Sequence, residues 1–190
     1  MIRTLPMGHQ RLAVDFCERE ETESYAGIFA DYGTGKTLIS LMLIEERQFK
    51  KVLVVSTTLS IDTTWCDEIR KHSDFRYCIL KGTAKQKVNL LEYVLNKFIN
   101  PGRYAHHREE IDRPMLFLIN YEGVKSIYRE LTNAGFDAIF LDESTKVKTH
   151  DAERTMAAYE ISERIPHRYV MTGFPVTENL AELYSQIKFL

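Results

Sequence analysis

The alternation of short apolar runs with longer amphipathic segments is the sequence feature that most constrains the fold. Each run is rich in β-branched residues, and each is too short to form the core of a helix. The runs therefore predict buried strands. The six predicted strands are residues 27–30, 52–56, 77–80, 115–119, 138–142 and 169–172.

The segments between these strands carry apolar residues at helical spacing, which predicts crossover helices. Strands that alternate with helices and are apolar on both faces form a parallel sheet covered on each side. The sequence therefore predicts an open α/β fold whose ligands lie at the carboxyl ends of the strands. The three predicted helical faces are Val88, Leu91, Val94, Leu95 and Phe98; Val124, Ile127, Tyr128 and Leu131; and Leu180, Leu183, Tyr184 and Ile187.

Composition narrows the class of protein. The 190 residues are 44% hydrophobic and 27% charged, which is typical of one globular domain over residues 1–190. The net charge of −2 gives no overall attraction to nucleic acid, so any such contact has to be local. Cys17, Cys66 and Cys78 form no CxxC pair, which indicates structural thiols in a reducing compartment. Because no signal segment and no apolar run of roughly 18 residues is seen, we expect a cytoplasmic protein, or a nuclear one in a eukaryote, without membrane contact.

A glycine-rich segment at residues 31–37 lies between the first predicted strand and a predicted helix at 38–46. This order of strand, loop and helix is the one that a phosphate-binding loop requires. Gly33 and Gly35, on either side of Thr34, allow backbone N–H groups to turn toward phosphates. Lys36 is expected to reach the β- and γ-phosphates of ATP, and the Thr37 hydroxyl to bind Mg²⁺.

The loop departs from the pattern GxxxxGK[ST] at its first position, where Ala30 replaces glycine. An ordinary glycine-rich turn with an exposed lysine is the alternative interpretation.

Two adjacent carboxylates follow the apolar run at residues 138–141 and come at the carboxyl end of a predicted strand. Asp142 is expected to hold Mg²⁺, and Glu143 to orient and deprotonate the attacking water. The alternative is that Asp142 caps a turn and Glu143 is solvated. The pair and the glycine-rich loop together predict a site that hydrolyses ATP.

The order of the motifs resembles the Swi/Snf-type branch of the superfamily two helicase-like ATPases, in a form similar to bacteriophage members. The resemblance implies a RecA-like fold, and it implies that Gln10 reads the adenine edge. Ser144 and Thr145 replace an Ala-His pair that is common in the family, which puts in doubt the family's usual histidine link between the γ-phosphate site and the segment 171–180. The six matching segments are 5–10, 31–37, 52–59 with Trp65 and Glu68, 119–122, 141–148 and 171–180.

The same resemblance implies a nucleic-acid track along the strand ends, where hydroxyls and amides meet phosphates. Trp65 is expected to pack its helix on the sheet. The candidate residues for the track and for coupling are Ser56, Thr57, Thr58, Asn120, Tyr121, Thr172 and Gly173.

Members of this family use a second RecA-like lobe, which we expect to lie outside these residues and to supply the arginine fingers. The resemblance favours translocation on duplex DNA in a bacterial or phage-infected cell. Two other interpretations stay open, namely the ATPase subunit of a restriction system and a nucleotide-dependent interaction module without motor activity. A solvated loop is favoured over a metal site for the cluster His106, His107, Glu109 and Glu110, because its spacing is too close.

Overall fold

The computed structural model describes residues 1–19, 22, 24–99, 113–143, 160–175 and 180–190. Six strands in these residues form one sheet, in which all neighbouring strands are parallel. They are β1 (Tyr25–Phe29), β2 (Lys51–Ser56), β3 (Arg76–Ile79), β4 (Met115–Asn120), β5 (Ala138–Asp142) and β6 (His167–Thr172). Across the sheet their order is β1-β6-β5-β2-β4-β3.

Helices follow the strands along the chain, as expected for crossover connections between parallel strands. A π-helical turn at Ile61–Trp65 joins α3 to α4. The helices are α1 (Gly8–Cys17), α2 (Lys36–Glu46), α3 (Thr58–Ser60), α4 (Cys66–His72), α5 (Ala84–Ile99), α6 (Tyr121–Ser126), α7 (Tyr128–Asn133) and α8 (Leu180–Phe189).

The sheet separates two apolar cores, because successive side chains of a strand point to opposite faces. On β2, Val52 and Val54 belong to one core, whereas Leu53 and Val55 belong to the other. The first core includes side chains of α1, α2 and α4, and the second includes side chains of α5, α6, α7 and α8. The predicted parallel sheet with helices on both faces is therefore confirmed.

Each predicted strand is present, with bounds that differ by no more than two residues at either end. The predicted helix at 38–46 begins at Lys36. The predicted face at residues 124–131 is divided between α6 and α7, which meet at Ile127.

The predicted inward face of the last helix is wrong. Tyr184 and Ile187 are exposed, whereas Gln186 and Phe189 are buried. Phe189 packs in the second core, and the Gln186 side chain donates a hydrogen bond to the carbonyl of Pro175. The Gln186 side chain can be buried because a backbone carbonyl from another part of the chain accepts its hydrogen bond. The spacing of apolar residues along the helix cannot predict such a contact.

Because the strands are parallel, their carboxyl ends lie at a single edge of the sheet. The register pairs Ser56 with Asn120, and Asp142 with Met171. In the pair formed by β1 and β6, Phe29 is paired with Thr172. This edge therefore brings together the ends of the chain segments that carry the predicted motifs.

Candidate nucleotide site at the carboxyl edge of the sheet

A cavity of about 680 Å³ opens at the carboxyl edge of the sheet. It lies between the segment before α1, the glycine-rich loop, the π turn, α4 and the end of β5. Both predicted motifs reach it, since it is bounded by the loop lysine and by the two carboxylates. Its lining residues are Thr4, Leu5, Met7, Gln10, Tyr32, Gly33, Gly35, Lys36, Thr37, Leu38, Ser60, Thr64, Glu68, Lys71, His72, Asp142 and Glu143.

The glycine-rich loop turns through two residues with left-handed backbone conformation. Gly33 has φ of 77° and Gly35 has φ of 80°. Glycine adopts this region without the steric cost that a Cβ atom imposes. Gly35 is the N-cap of α2, so the first residues of that helix, Lys36 and Thr37, follow the turn directly. The loop therefore places a helix N-terminus at the cavity, as anion binding requires.

The Lys36 ammonium is held inside the loop. Its Nζ donates to the carbonyls of Ala30 at 2.7 Å and Asp31 at 3.0 Å, and it lies 5.3 Å from the centre of the Tyr32 ring. Ala30, which stands where the usual motif has glycine, thus contributes through its carbonyl, an atom that every residue has. The departure from the motif leaves the lysine position intact.

Gln10 joins α1 to the glycine-rich loop. Its Nε2 donates to the Thr34 carbonyl at 3.0 Å, and its Oε1 accepts from the Met7 N–H at 2.9 Å. The His9 Nε2 also lies 3.1 Å from the same carbonyl of Thr34. Both ends of the buried amide are therefore engaged within the protein. Reading of adenine by Gln10 stays a prediction, and the contacts show a second role as a clasp on the loop.

Asp142 is buried at the end of β5 and accepts several hydrogen bonds. Its Oδ2 accepts from Ser56 Oγ at 2.8 Å, from Ser60 Oγ at 3.1 Å and from Trp65 Nε1 at 2.8 Å. Its Oδ1 accepts from the N–H of Glu143 at 3.0 Å. Donors from the protein therefore hold both oxygens of the Asp142 carboxylate in one orientation.

Glu143 has a backbone conformation that is rare for a residue with a side chain. Its φ is 54°, in the left-handed region. Such strain costs on the order of 1 kcal/mol or more and is concentrated at functional sites. The residue is half-buried and lines the cavity next to Asp142. The strained backbone therefore lies at the residue that is predicted to orient the attacking water.

Thr37 and Asp142 offer a hydroxyl and a carboxylate to the same cavity. These are oxygen ligands of the kind that Mg²⁺ takes from proteins when substrate phosphates and water complete its shell. Within the described ranges, no group of three or more His, Cys, Asp and Glu side chains could hold a metal by itself. The residues present therefore fit a cation that is shared with a nucleotide. The cluster at residues 106–110 lies outside the described residues.

The far wall of the cavity contains polar residues that we did not predict. His72 is buried, with Nδ1 at 2.5 Å from Thr4 Oγ1 and Nε2 at 3.3 Å from Glu68 Oε2. Lys71 also lines the cavity. Glu68 and His72 stand four residues apart on a helix, which is a spacing that could have indicated a pair. Their closeness to the glycine-rich loop has no signal in the sequence.

The predicted track residues fall into two groups. Thr58 is exposed and accepts from Asn120 Nδ2 at 2.9 Å. Asn120 also accepts from the Gly123 N–H at 2.8 Å, and Thr57 accepts from the Ser60 N–H at 3.2 Å. Asn120 caps α6 and Thr57 caps α3, and all three side chains lie at the carboxyl edge of the sheet. Hydroxyl and amide groups at such an edge are suited to contact phosphates.

Two other track candidates are buried. Ser56 is 0% exposed and bonds Asp142, while Tyr121 is 6% exposed and donates its hydroxyl to the Asp142 carbonyl at 2.7 Å. The structure therefore corrects their expected role, because both side chains hold the end of β5 and neither faces solvent. Burial of this kind depends on how the strands are arranged in the sheet. It could not be predicted from the sequences around Ser56 and Tyr121.

The last strand end carries Thr172 and Gly173. Thr172 is buried, and its Oγ1 accepts from the Phe174 N–H at 3.3 Å. Gly173 lies beside the ring of Tyr32, and that ring is 5.8 Å from the ring of Phe174. The segment after β6 therefore contacts the glycine-rich loop through aromatic side chains. Ser144 and Thr145 lie outside the described residues.

Trp65 is fully buried in the first core, which confirms its predicted packing role. Its hydrogen bond to Asp142 was missed, although a buried indole N–H needs an acceptor. None of the described helices has both the length and the apolar composition that a membrane span requires.

Comparisons with known proteins agree with this geometry. The yeast ATP-dependent helicase ULS1 (Saccharomyces cerevisiae) is 27% identical over 212 residues, which covers 96% of this chain and 13% of that protein. The mouse DNA excision repair protein ERCC-6 (Mus musculus) is 27% identical over 94 residues, or 47% of this chain and 6% of that protein. The chain thus spans a small part of the length of these curated relatives.

A solved structure, the Sulfolobus solfataricus SWI2/SNF2 ATPase core in complex with dsDNA, superposes with a TM-score of 0.74 at 18% identity. It covers all of this chain and 36% of that chain, and the likeness confirms the predicted RecA-like fold. The family model described as SNF2-related domain matches residues 9–190. Because that match extends over almost the whole sequence, the chain belongs to the SNF2-related domain family.

Proposed function

We propose that this chain binds ATP with Mg²⁺ and, when paired with a second RecA-like lobe, hydrolyses it to ADP and phosphate. The observation that carries the proposal is the meeting of two motifs in one cavity. The loop residues Lys36 and Thr37 and the carboxylates Asp142 and Glu143 come from different parts of the chain, and they line the same space. A solvated lysine or a turn-capping aspartate would not require this meeting.

Each residue has a distinct task in the proposed reaction. Lys36 exchanges its two carbonyl partners for phosphate oxygens, and the N–H groups at the start of α2 surround the same phosphates. Thr37 and Asp142 hold Mg²⁺, which neutralises charge on the β- and γ-phosphates when it is bound. Glu143 orients the attacking water and removes its proton. Gln10 clasps the loop and reads adenine.

A second lobe is part of the proposal because one expected group is absent from the described lining of the cavity. Its described lining residues include Lys36 and Lys71, and none of those lining residues is an arginine. An arginine on the opposite side of the γ-phosphate contributes roughly 10³–10⁵ in rate in related reactions. We therefore expect very slow turnover by this chain alone.

The proposed partner is nucleic acid, with duplex DNA as the track. Thr57, Thr58 and Asn120 lie at the carboxyl ends of β2 and β4, and the proposed coupling residues Thr172 and Gly173 lie at the carboxyl end of β6. Support comes from the Sulfolobus solfataricus ATPase core, which was solved in complex with dsDNA, and from the relatives, which include a DNA excision repair protein. The net charge of −2 fits contacts made by hydroxyls and amides.

The proposed cellular setting is the cytoplasm of a bacterial or phage-infected cell. Three free cysteines support a reducing compartment. The likeness to bacteriophage members rests on the motif sequences alone.

The test is a steady-state ATPase assay of this chain and of a two-lobe protein, each with and without duplex DNA. We expect near-background turnover by the chain alone and DNA-stimulated turnover by the two-lobe protein, because closing the lobes completes the site. ATP binding without DNA-stimulated turnover in the two-lobe protein would favour a nucleotide-dependent interaction module. Robust DNA-stimulated hydrolysis by this chain alone would contradict the need for a second lobe.

A further inference from the structure

One oxygen of the Asp142 carboxylate, Oδ2, is held by a single chain segment, residues 56–65. The three donors to Oδ2 belong to Ser56, Ser60 and Trp65, which lie at the end of β2, in α3 and at the end of the π turn. Ser56 and Trp65 are fully buried, and Ser60 is half-buried. An oxygen with two lone pairs is fully occupied by three donors. Oδ1 accepts one hydrogen bond, from the Glu143 N–H at 3.0 Å, and is therefore the oxygen with a lone pair left to bind a cation.

The π turn explains how two of these donors reach the same atom. In an α-helix, with 3.6 residues per turn, positions five apart point about 140° away from each other. Ser60 and Trp65 are such a pair. The π-helical i→i+5 pattern, here with the Cys66 N–H on the Ile61 carbonyl, brings side chains five apart toward one side. A regular helix over the same residues would turn one of the two donors away from Asp142.

The same segment also contains two residues of the proposed nucleic-acid track, Thr57 and Thr58. Thr57 accepts from the Ser60 N–H, and Thr58 accepts from Asn120. Ser60 therefore contacts Thr57 through its backbone and Asp142 through its hydroxyl. Thr57 and Thr58 lie in the same short helical turn as Ser60. The path from the edge of the sheet to the buried carboxylate is two hydrogen bonds long.

We propose that Ser60 and Trp65 are positioning residues that fix the Mg²⁺-binding oxygen of Asp142 and couple it to the nucleic-acid track. The inference rests on the proposed function, since it needs a nucleotide with Mg²⁺ in the cavity. It goes beyond that function by assigning the coupling to the segment 57–65. Hydrogen-bond partners of metal-binding carboxylates typically contribute roughly 10- to 100-fold to metal affinity or activity.

The first experiment measures binding of a non-hydrolysable ATP analogue to this chain by calorimetry, with Mg²⁺ and with EDTA. The variants are Trp65→Phe, which keeps a ring and removes the N–H, and Ser60→Ala. We expect affinity in EDTA to stay within about twofold and affinity with Mg²⁺ to fall roughly 10- to 100-fold. Ser60→Thr, which retains the hydroxyl, should restore binding. Thr63→Ala is the matched control, since its exposed hydroxyl bonds only the Leu59 carbonyl.

The outcomes separate the two proposals. If the unmodified chain binds no nucleotide, the proposed function fails. If it binds with Mg²⁺ enhancement and both variants keep that enhancement, the positioning role is overturned while the function stands. Equal losses with Mg²⁺ and with EDTA would show a merely structural role and would also overturn it. If circular dichroism shows that Trp65→Phe does not fold, the binding data for Ser60→Ala decide whether the positioning role holds, because Ser60 is only half-buried and its substitution is less disruptive.

The second experiment tests coupling in the two-lobe protein at saturating Mg²⁺ and ATP. There, the ratio of DNA-stimulated to basal turnover should fall at least about threefold in Ser60→Ala, because loss of the hydroxyl breaks the link from Thr57 to Asp142. Thr63→Ala should keep both values. Full stimulation by DNA in Ser60→Ala under these conditions would overturn the coupling role.

Discussion

The indole N–H of Trp65 donates a 2.8 Å hydrogen bond to Oδ2 of Asp142, 77 residues further along the chain. The bond joins the π turn after β2 to the end of β5, which are neighbouring strands in the sheet. A large apolar side chain that packs the core also satisfies a buried carboxylate through its single polar atom. Trp65 therefore contributes to the core and to the site at once.

The loop lysine gives the first prediction. Lys36→Ala should keep the fold and lower ATP affinity by about 100-fold, because charge-assisted bonds to phosphate are lost. Calorimetry with ATP and Mg²⁺ measures the effect. Lys50→Ala is the control, since Lys50 is exposed just before β2, at the opposite edge of the sheet. Normal affinity in Lys36→Ala would remove this residue from the phosphate site.

The two carboxylates should fail in different ways. In the two-lobe protein, Glu143→Gln should bind ATP with Mg²⁺ nearly normally and lose turnover by about 10²-fold or more, because the water loses its base. Asp142→Asn should instead weaken Mg²⁺-dependent binding, since the amide carries no charge for the cation. Calorimetry and single-turnover assays separate the two effects. Equal binding defects in both variants would leave the base role of Glu143 unsupported.

Gln10 can act as a clasp on the loop, as a reader of adenine, or as both. Loss of the Nε2 bond to the Thr34 carbonyl predicts that Gln10→Ala lowers affinity for ATP and GTP alike. Loss of adenine reading predicts that the preference for ATP over GTP falls as well. Competition binding with both nucleotides measures the two effects in one series. If Gln10→Ala left both affinities and their ratio unchanged, neither role would survive.

The two loop glycines should differ in their response to alanine. Either substitution places a side chain at φ near 80°, which costs about 1–2 kcal/mol. A Cβ at Gly33 meets no atom within 4 Å, whereas a Cβ at Gly35 would press on the Gln10 amide. Thermal unfolding should therefore show a larger loss for Gly35→Ala. Adding Gln10→Ala to Gly35→Ala should cost less than the sum of the single changes, because they share a contact; strict additivity would contradict it.

Two cysteines give a pH prediction. Burial raises the pKa of the Cys17 thiol from 9.0 to about 11, and burial raises the pKa of Cys78 to about 12. Both stay protonated at neutral pH, so alkylation of the native protein should be slow. A raised pKa in the folded state means that stability is complete below about pH 9 and is lost as the pH rises through 11. Denaturant titrations should show this fall in the free energy of unfolding, by about 3 kcal/mol for Cys17, and the fall should be smaller in Cys17→Ala.

The local features of this protein follow from the sequence by itself. Short runs of β-branched residues can bury both faces only as central strands, so residues 138–142 were predicted at the bounds that the structure has. The glycines of the loop were identified because their conformation is a property of the residue. The adjacency of Asp142 and Glu143 at a strand end placed both in the site. Each of these inferences uses interactions between residues that are close along the chain.

Tertiary structure decided which distant side chains meet. Ser56 and Tyr121 were expected at an open edge, but Ser56 at the end of β2 and Tyr121 after β4 both bond Asp142 at the end of β5. Adenine reading by Gln10 stays a prediction, whereas its bond to the Thr34 carbonyl follows from the packing of α1 and was not foreseen. The prediction for the buried face of α8 was wrong because Gln186 is buried and bonds the Pro175 carbonyl, which leaves Tyr184 and Ile187 exposed. A buried polar group has to find a partner, and only the arrangement of strands and helices determines which partners are within reach.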